Sequence, residues 1–391
     1  MKRQKVSRLP LGKGLDLLQL NNWRLWFAVA VSALLLVALV IQVEPGKISR
    51  ALRQANYAYV APAIALYFAA VYFRAVRWRY LLAPLRRFPV RRLYPVVVIG
   101  YMANNLLPFR LGELVRSYYL ARQERFNTST ALATVAVERV YDGLTLLAFA
   151  ALAGPVLLLL GEFDSASDAS RTAWIIVAGL TVALFAGALI VLTLLATRPR
   201  YISLADRILG FIPERWGRNK AQEVVRTFIQ GLSILRSPRK HLALFLLSMP
   251  VWLLESAMYF VVSYSFGIDD YFGSAGALAL VVVLLTATSN LVTSLPAGIG
   301  GIGPFELVAQ QTLLALGVVE DRATAYALVL HLVALWLPVN ILGLALLWKQ
   351  NISLKQLAGQ SRPSIAGQEP ALRHSLGAGP AAPVSSKEEL L

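Results

Sequence analysis

Tyr271 to Phe305 carries no charged side chain, and near its end the apolar run breaks into Leu295-Pro296-Ala297-Gly298-Ile299-Gly300-Gly301-Ile302-Gly303-Pro304 before resuming as Phe305-Glu306-Leu307-Val308. Glycine and proline at this density do not continue a helix. The stretch therefore reads as two helical arms joined by irregular backbone, and its path depends on the chain around it. Of the 391 residues 57% are hydrophobic and only 15% charged, against about 25% charged in soluble domains. The apolar residues fall in long blocks, so the chain belongs in a membrane.

Six blocks read as full crossings: Leu25 to Val43, Tyr57 to Phe73, Ala131 to Leu160, Trp174 to Ala196, Leu242 to Ile268 and Ala323 to Trp348. The first follows a basic head and lacks a cleavage site, so it reads as a retained anchor. With the N-terminus in the cytoplasm, the inside segments hold 32 Lys or Arg and the outside loops 5, which fixes the orientation by the positive-inside rule and leaves both termini cytoplasmic. Parity then puts the loop at Asp269 and Asp270 outside, along with the start of Ala323. The block from Tyr271 to Phe305 must enter from outside and return there.

Leu93 to Phe109 has basic segments on both sides and contains Pro95, Asn104, Asn105 and Pro108, so it enters from the cytoplasm and turns back. The expected architecture is an all-α, polytopic membrane helical bundle with about six full crossings and two opposed re-entrant helical hairpins, near residues 93–122 and 274–317. Both breaks begin with Leu-Pro (Pro108, Pro296) and lead into Glu-Leu-Val (Glu113, Glu306). That correspondence points to an inverted repeat, and paired Gly/Pro-interrupted segments mark a midplane binding site. Ordinary kinked helices are the alternative reading.

Residues 1–24 form a basic cytoplasmic segment and 25–348 the membrane domain. Within it, residues 197–240 form a cytoplasmic loop in which Ala221, Val224, Val225, Phe228, Ile229 and Leu232 recur at helical spacing. That amphipathic helix suits either the headgroup layer or the bundle's own loops. Residues 349–391 are rich in Gly, Ala, Pro and Ser and read as a disordered tail. The net charge of +17 sits at the ends of apolar blocks, which speaks for topology and against nucleic acid. There is no Cys, and His241, His331 and His374 are scattered, so neither a metal nor a cofactor is expected.

Charged groups at membrane depth cost about 2.5 to 3.5 kcal/mol each on insertion scales. Arg110, Glu113 and Arg116 follow the first break, Glu138, Arg139 and Asp142 lie in the third crossing, Glu255 in the fifth, and Glu306 in the second hairpin. Glu138 and Asp142 share a helix face, and Arg139 can pair with Asp142. Two readings stay open: ion pairs that hold hairpins to bundle, with Glu113 and Glu306 as helix caps, or a binding site. Arg110, Arg116 and Arg139 favour the second, because a guanidinium fork matches phosphate oxygens. Half-helix N-termini at Gly112 and Gly303 add donors for an anion. With Asn105, Gly300 and Gly301 at the breaks, the group suits a phospholipid head group leaving its own leaflet.

Asn105-Leu-Leu-Pro108-Phe-Arg110-Leu-Gly112-Glu113-Leu-Val-Arg116, the Glu138-Arg139-x-x-Asp142 crossing, and Pro296-x-Gly-x-Gly-Gly-x-Gly-x-x-Glu306 together resemble the lysylphosphatidylglycerol synthase/flippase transmembrane family over roughly residues 20–348. The resemblance implies an inner-membrane flippase-like domain that moves phospholipids between leaflets, joined in some relatives to a soluble aminoacyl-transfer domain and in others to a glycosyltransferase. After Trp348 only 43 residues follow, so lysyl transfer is not expected, and the chain is taken to be no enzyme, with no catalytic residues.

In the transport reading Arg110, Arg116 and Arg139 hold the phosphate, access alternates between leaflets, and movement is downhill or ion-coupled, with Glu138, Asp142 and Glu255 as proton carriers. Two other classes compete: a membrane enzyme on lipid-linked substrates with Glu138 and Asp142 as acid and base, and an accessory subunit recruiting a lipid-modifying synthase through its basic surface. Membrane phospholipids are the expected partners, the synthase is a candidate, and a homo-oligomer is left open.

Overall fold

A computed structural model describes residues 45–107, 110–161, 186–197, 218–293 and 299–349, with single positions at 34, 179, 183 and 207. No β-strand occurs among the described residues. A short amphipathic helix, α1 (Pro45–Gln54), precedes α2 (Val60–Leu82), α3 (Val90–Leu106), α4 (Gly112–Glu124) and the long α5 (Thr128–Leu159). Then come α6 (Ala186–Thr197), α7 (Arg218–Gly231) and α8 (Pro238–Ser263). The chain ends in α9 (Ala275–Thr293), α10 (Pro304–Ala315), α11 (Glu320–Leu328), a π-helical segment (Val329–Trp336) and α12 (Leu337–Lys349).

Five helices are long and apolar enough to cross a membrane: Tyr57–Leu82, Thr128–Leu159, Pro238–Ser263, Ala275–Thr293 and Glu320–Lys349. Four of them carry expected crossings. Leu25 to Val43 apart from Leu34, the basic head and the tail beyond Lys349 lie outside the described residues, as does most of Trp174 to Ala196, whose end is α6. Ala275–Thr293, expected as a hairpin arm, is itself long enough to span.

The first described crossing corrects the sequence reading in one respect. The helix was expected to end at Phe73, with Arg74 and Arg77 in a cytoplasmic loop. Instead α2 continues to Leu82, and Arg74 and Arg77 are buried in the bundle. A hydropathy reading stops at the first charge, whereas here each guanidinium points at carboxylates on other helices.

Local chemistry sets the other boundaries. Asn127 caps α5, its side chain accepting from the Ser129 and Thr130 N–H groups, which satisfies donors that the first turn leaves free. Pro238 opens α8 at a position where a missing N–H costs nothing. Helix α7 packs on the start of α5, where the Thr130 hydroxyl donates to the Thr227 carbonyl at 3.0 Å. Ile229 is buried there and Val224 faces outward. Of the two placements open for the amphipathic segment, this face sits against the bundle.

Helices α3 and α4 fold back on each other. Arg92 and Glu124 pair at 3.2 Å at the open end, while Gly112 meets Gly100 and Asn104 at the closed end. A Cβ on Gly112 would press into the Gly100 carbonyl and stand 2.6 Å from Asn104 Oδ1, so only glycine admits this approach. Helices α9 and α10 do likewise, with Thr288 and Thr312 hydroxyls 3.2 Å apart. The two open ends of that unit are tied by Arg322, which donates to the Gly267 carbonyl at 3.0 Å and pairs with Asp270 at 3.6 Å.

The closed ends of the two units meet. Gly300 has φ +62°, and a Cβ there would lie 2.8 Å from Trp336 Nε1 and 2.9 Å from the Asn105 carbonyl oxygen. Arg110, itself at φ +54°, donates to the carbonyl of Thr293 at the end of α9. The candidate site is built around this junction.

Candidate functional site

Four helices bring nine charged side chains into one connected network. Helix α2 supplies Arg74 and Arg77, three residues apart and so on one face. The first break and α4 supply Arg110, Glu113 and Arg116. Helix α5 contributes Glu138, Arg139 and Asp142, and α8 contributes Glu255. Arg116 holds Glu138 by two hydrogen bonds of 2.9 and 2.7 Å, and its guanidinium carbon lies 3.8 Å from the Trp78 ring centre. Arg77 bonds Asp142 at 2.7 Å and the Ser248 hydroxyl at 2.7 Å, and reaches Glu138 at 3.4 Å.

Arg74 donates to Glu255 at 2.5 Å and to the Tyr101 hydroxyl at 2.9 Å, under the face of Trp252. Arg139 joins the halves, with Glu138 at 2.8 Å, Asp142 at 3.3 Å and Glu113 at 3.6 Å. The expected Arg139–Asp142 pair is therefore present, inside a larger array. In a low-dielectric interior each member depends on the others, because an unpaired buried charge is far costlier than a paired one.

A cavity of about 140 Å³ opens beside this network. Arg74, Arg110 and Arg139 line it on one side with Asp142 and Glu255. Asn104, Asn105, Asn290 and Trp336 line another part, and Gly300, Gly301 and His331 lie on the second hairpin's side. Sites that enclose a drug-sized ligand are about 300–1,000 Å³, so this one is too small to enclose a ligand of that size.

Seven of the residues picked out in the sequence thus reach the cavity: Asn105, Arg110, Arg139, Asp142, Glu255, Gly300 and Gly301. Glu113, Arg116, Glu138 and Glu306 stand behind it. Arg116, expected to grip a phosphate, is 3% exposed and spends its fork on Glu138. Glu306 is fully buried, accepts the Gly303 N–H at 2.7 Å as a helix cap, and holds His331 Nδ1 at 2.7 Å while the imidazole stacks on Phe305.

The sequence reading missed Arg74, His331, Asn290 and Trp336. A signal existed for His331, an ionisable group in an otherwise uncharged span. The π-helical turn that places His331 and Trp336 on the cavity wall, a distortion common at functional sites, leaves no mark in composition.

The family described as Lysylphosphatidylglycerol synthase TM region matches residues 25–342. A UPF0104 membrane protein of Methanothermobacter thermautotrophicus is 26% identical over 337 residues, covering 83% of this chain and 93% of that protein. The UPF0104 membrane protein MJ1595 of Methanocaldococcus jannaschii is 25% identical, over 80% of this chain and 91% of its own length. Glycosyltransferase AglD of Haloferax volcanii is 27% identical over 327 residues, 77% of this chain but only 50% of AglD. No solved structure gives a significant match.

These names overturn the expectation that the chain is no enzyme. A relative that shares the region is named a glycosyltransferase and the family bears the name of a synthase, so proteins named as enzymes occur among those that carry this region. With the match extending over most of its length, the chain belongs to the lysylphosphatidylglycerol synthase transmembrane-region family.

Proposed function

We propose that the chain is a flippase-like protein of the inner membrane, which receives the phosphate of a membrane lipid in the cavity and carries it between leaflets. One observation carries the reading: three guanidiniums, Arg74, Arg110 and Arg139, face a single cavity where two broken helical units meet, among helices long enough to span a bilayer. Guanidinium forks recognise phosphate oxygens, and acyl chains stay in the lipid outside a cavity of this size. The head-group set is thus Arg74, Arg110 and Arg139 with Asn105, Asp142, Glu255, Gly300 and Gly301 around them, and Arg116, Glu138, Glu113 and Glu306 as its scaffold.

In this reading the two units are opposed re-entrant hairpins of an inverted repeat, entering from opposite faces, with both termini in the cytoplasm. The excess of Lys and Arg on that side persists once Arg74 and Arg77 are counted as buried. The test is the purified protein in liposomes with a labelled phospholipid: exchange between leaflets above protein-free vesicles is expected, and an exchange rate equal to theirs overturns the reading.

A second reading is favoured by AglD alone: the domain serves lipid-linked glycosyl or aminoacyl transfer, as part of an enzyme or beside a lipid-modifying synthase. Formation of a modified lipid without leaflet exchange, in the same vesicles supplied with donor substrate, marks that outcome.

A further inference from the structure

We infer that Glu306 and His331 form a proton-binding site, and that each lipid phosphate taken into the cavity is accompanied by one proton on the imidazole. The inference rests on the preceding reading that a lipid phosphate enters the cavity, and it adds how the movement is coupled.

The pair stands apart from the arginine network. Glu138, Asp142 and Glu255, the carboxylates expected as proton carriers, are each bonded to a guanidinium at 2.5 to 2.7 Å. Glu306 has no guanidinium or ammonium partner among the described residues: its Oε2 accepts the Gly303 N–H and its Oε1 the ring N–H of His331, both at 2.7 Å. An ionised carboxylate only accepts, so Nδ1 carries a hydrogen and Nε2 is where a proton is gained or lost. Glu306 is sealed and His331 lines the cavity. With Nδ1 turned to the carboxylate, Nε2 is the nitrogen that the cavity reaches.

Holding these elements together needs no ionisable pair. One turn along α10, on the same face, Gln310 ties α10 to α11 by donating to the Thr324 hydroxyl at 2.7 Å. The cap at Gly303 uses Glu306 alone.

Charge decides what the proton does. The network holds five guanidiniums, Arg74, Arg77, Arg110, Arg116 and Arg139, and four carboxylates, Glu113, Glu138, Asp142 and Glu255, linked by contacts of 3.9 Å or less. Glu306 is the fifth carboxylate, so with a neutral imidazole the charges balance. Arg74 of α2, Arg110 of the first break, Arg139 and Asp142 of α5 and Glu255 of α8 face the same cavity as His331. The phenols there are Tyr67 and Tyr101, while Tyr259, whose carbonyl accepts from the Tyr326 hydroxyl, stands 6.3 Å from Phe305 between ring centres.

A phosphodiester brings one negative charge into that balance, and an uncompensated buried charge is costly. One proton on Nε2 restores it, on the side chain that changes charge between about pH 5 and 8. The linkage is reciprocal, the anion favouring the proton and the proton the anion. The proton is taken from water on the side where the lipid enters and returned to water where it leaves. Lipid and proton then cross together with no net charge.

The test uses the full chain in phosphatidylcholine liposomes with acyl-labelled phosphatidylglycerol as the probe, read against protein-free vesicles. A gradient of about one pH unit should drive the leaflet ratio of the label toward about tenfold, the ratio of proton activities at one proton per lipid. A potassium diffusion potential set with valinomycin should leave that ratio in place. His331→Gln cannot take up the proton, and its ratio should no longer follow the pH gradient. Glu306→Gln makes the surplus positive charge permanent, so its ratio should follow the potential instead. Ring-nitrogen spectra of the chain's three histidines need no substitution at the pair: saturation with short-chain phosphatidylglycerol should convert one of them to the doubly protonated form.

Exchange whose ratio ignores the pH gradient, variants that keep the full response to it, or three histidine spectra unchanged by the lipid each overturn the proton site and leave lipid translocation standing. Exchange no faster than in protein-free vesicles overturns the reading on which the inference rests.

Discussion

Arg116 sets both terminal nitrogens on the two oxygens of Glu138, at 2.9 and 2.7 Å, with the Trp78 ring stacked beneath it at 3.8 Å. The pair is sealed from solvent on both sides, so its fork is a bolt between α4 and α5 rather than a receptor. Removing one partner of such a pair costs about 3–5 kcal/mol, whereas replacing both by apolar groups of similar size is often neutral. Arg116→Leu and Glu138→Leu should each lower the thermal midpoint sharply in detergent, and the double variant should lose less than the sum of the two, the remainder reflecting the contacts of Glu138 with Arg77 and Arg139. Two single losses that simply add would show that the side chains act independently.

At Gly112 the close approach of α4 to α3 leaves no room for a methyl group, since a Cβ would collide with the backbone of Gly100 and Asn104. Backbone cannot swing aside as a long side chain can, so Gly112→Ala should cost at least the 1–3 kcal/mol typical of overpacking. Gly46→Ala is the matched control, because nothing lies within 4 Å of its Cβ. Equal midpoints for the two variants, by thermal unfolding of purified protein, would contradict the hairpin closure described here.

The breaks between α3 and α4 and between α9 and α10 were legible in the sequence, and the network was only half so. Gly, Pro and Asn at the breaks carry their meaning locally, and the basic flanks of residues 93–122 are the ground for expecting that unit to return to the side it entered from. Arg139 with Asp142 was likewise a matter of helical spacing. Arg74 and Arg77 were not, because burial of a guanidinium depends on Glu255, Asp142 and Glu138, which stand 65 or more residues away in sequence for most of these pairs. Read alone, Arg74 ends an apolar run and looks like a loop. The same blindness applies to Arg116, whose phosphate-like fork is legible as chemistry but whose assigned partner is a matter of packing.

Topology gives a third prediction, and the absence of Cys makes it direct. Single cysteines at Arg92 and Arg122, at the open end of the first unit, should be labelled from one side of the membrane. Cysteines at Asp270 and Glu320, where Arg322 ties the ends of the second unit together, should be labelled from the other. Either pair split across the bilayer, in membrane-impermeant labelling of oriented vesicles, would remove the opposed re-entrant arrangement.

Arg110 separates strain from function. Its φ of +54° lies in the left-handed region, which costs an L-residue roughly 1–2 kcal/mol and glycine almost nothing. Arg125, at φ +50°, ends α4 in the same conformation but lies away from the cavity. Glycine at either position relieves strain, so Arg110→Gly should melt higher than Arg110→Ala, and Arg125→Gly higher than Arg125→Ala, each by an amount of about 1 kcal/mol. Transport should divide the two sites. Arg125→Gly keeps the parental rate of lipid exchange, while Arg110→Gly loses it despite the gain in stability, and Arg110→Lys, which keeps the charge but not the fork, transports poorly. A strained arginine retained where glycine is more stable is one held for its side chain. Parental exchange by Arg110→Gly in liposomes would show instead that the guanidinium does nothing for the lipid.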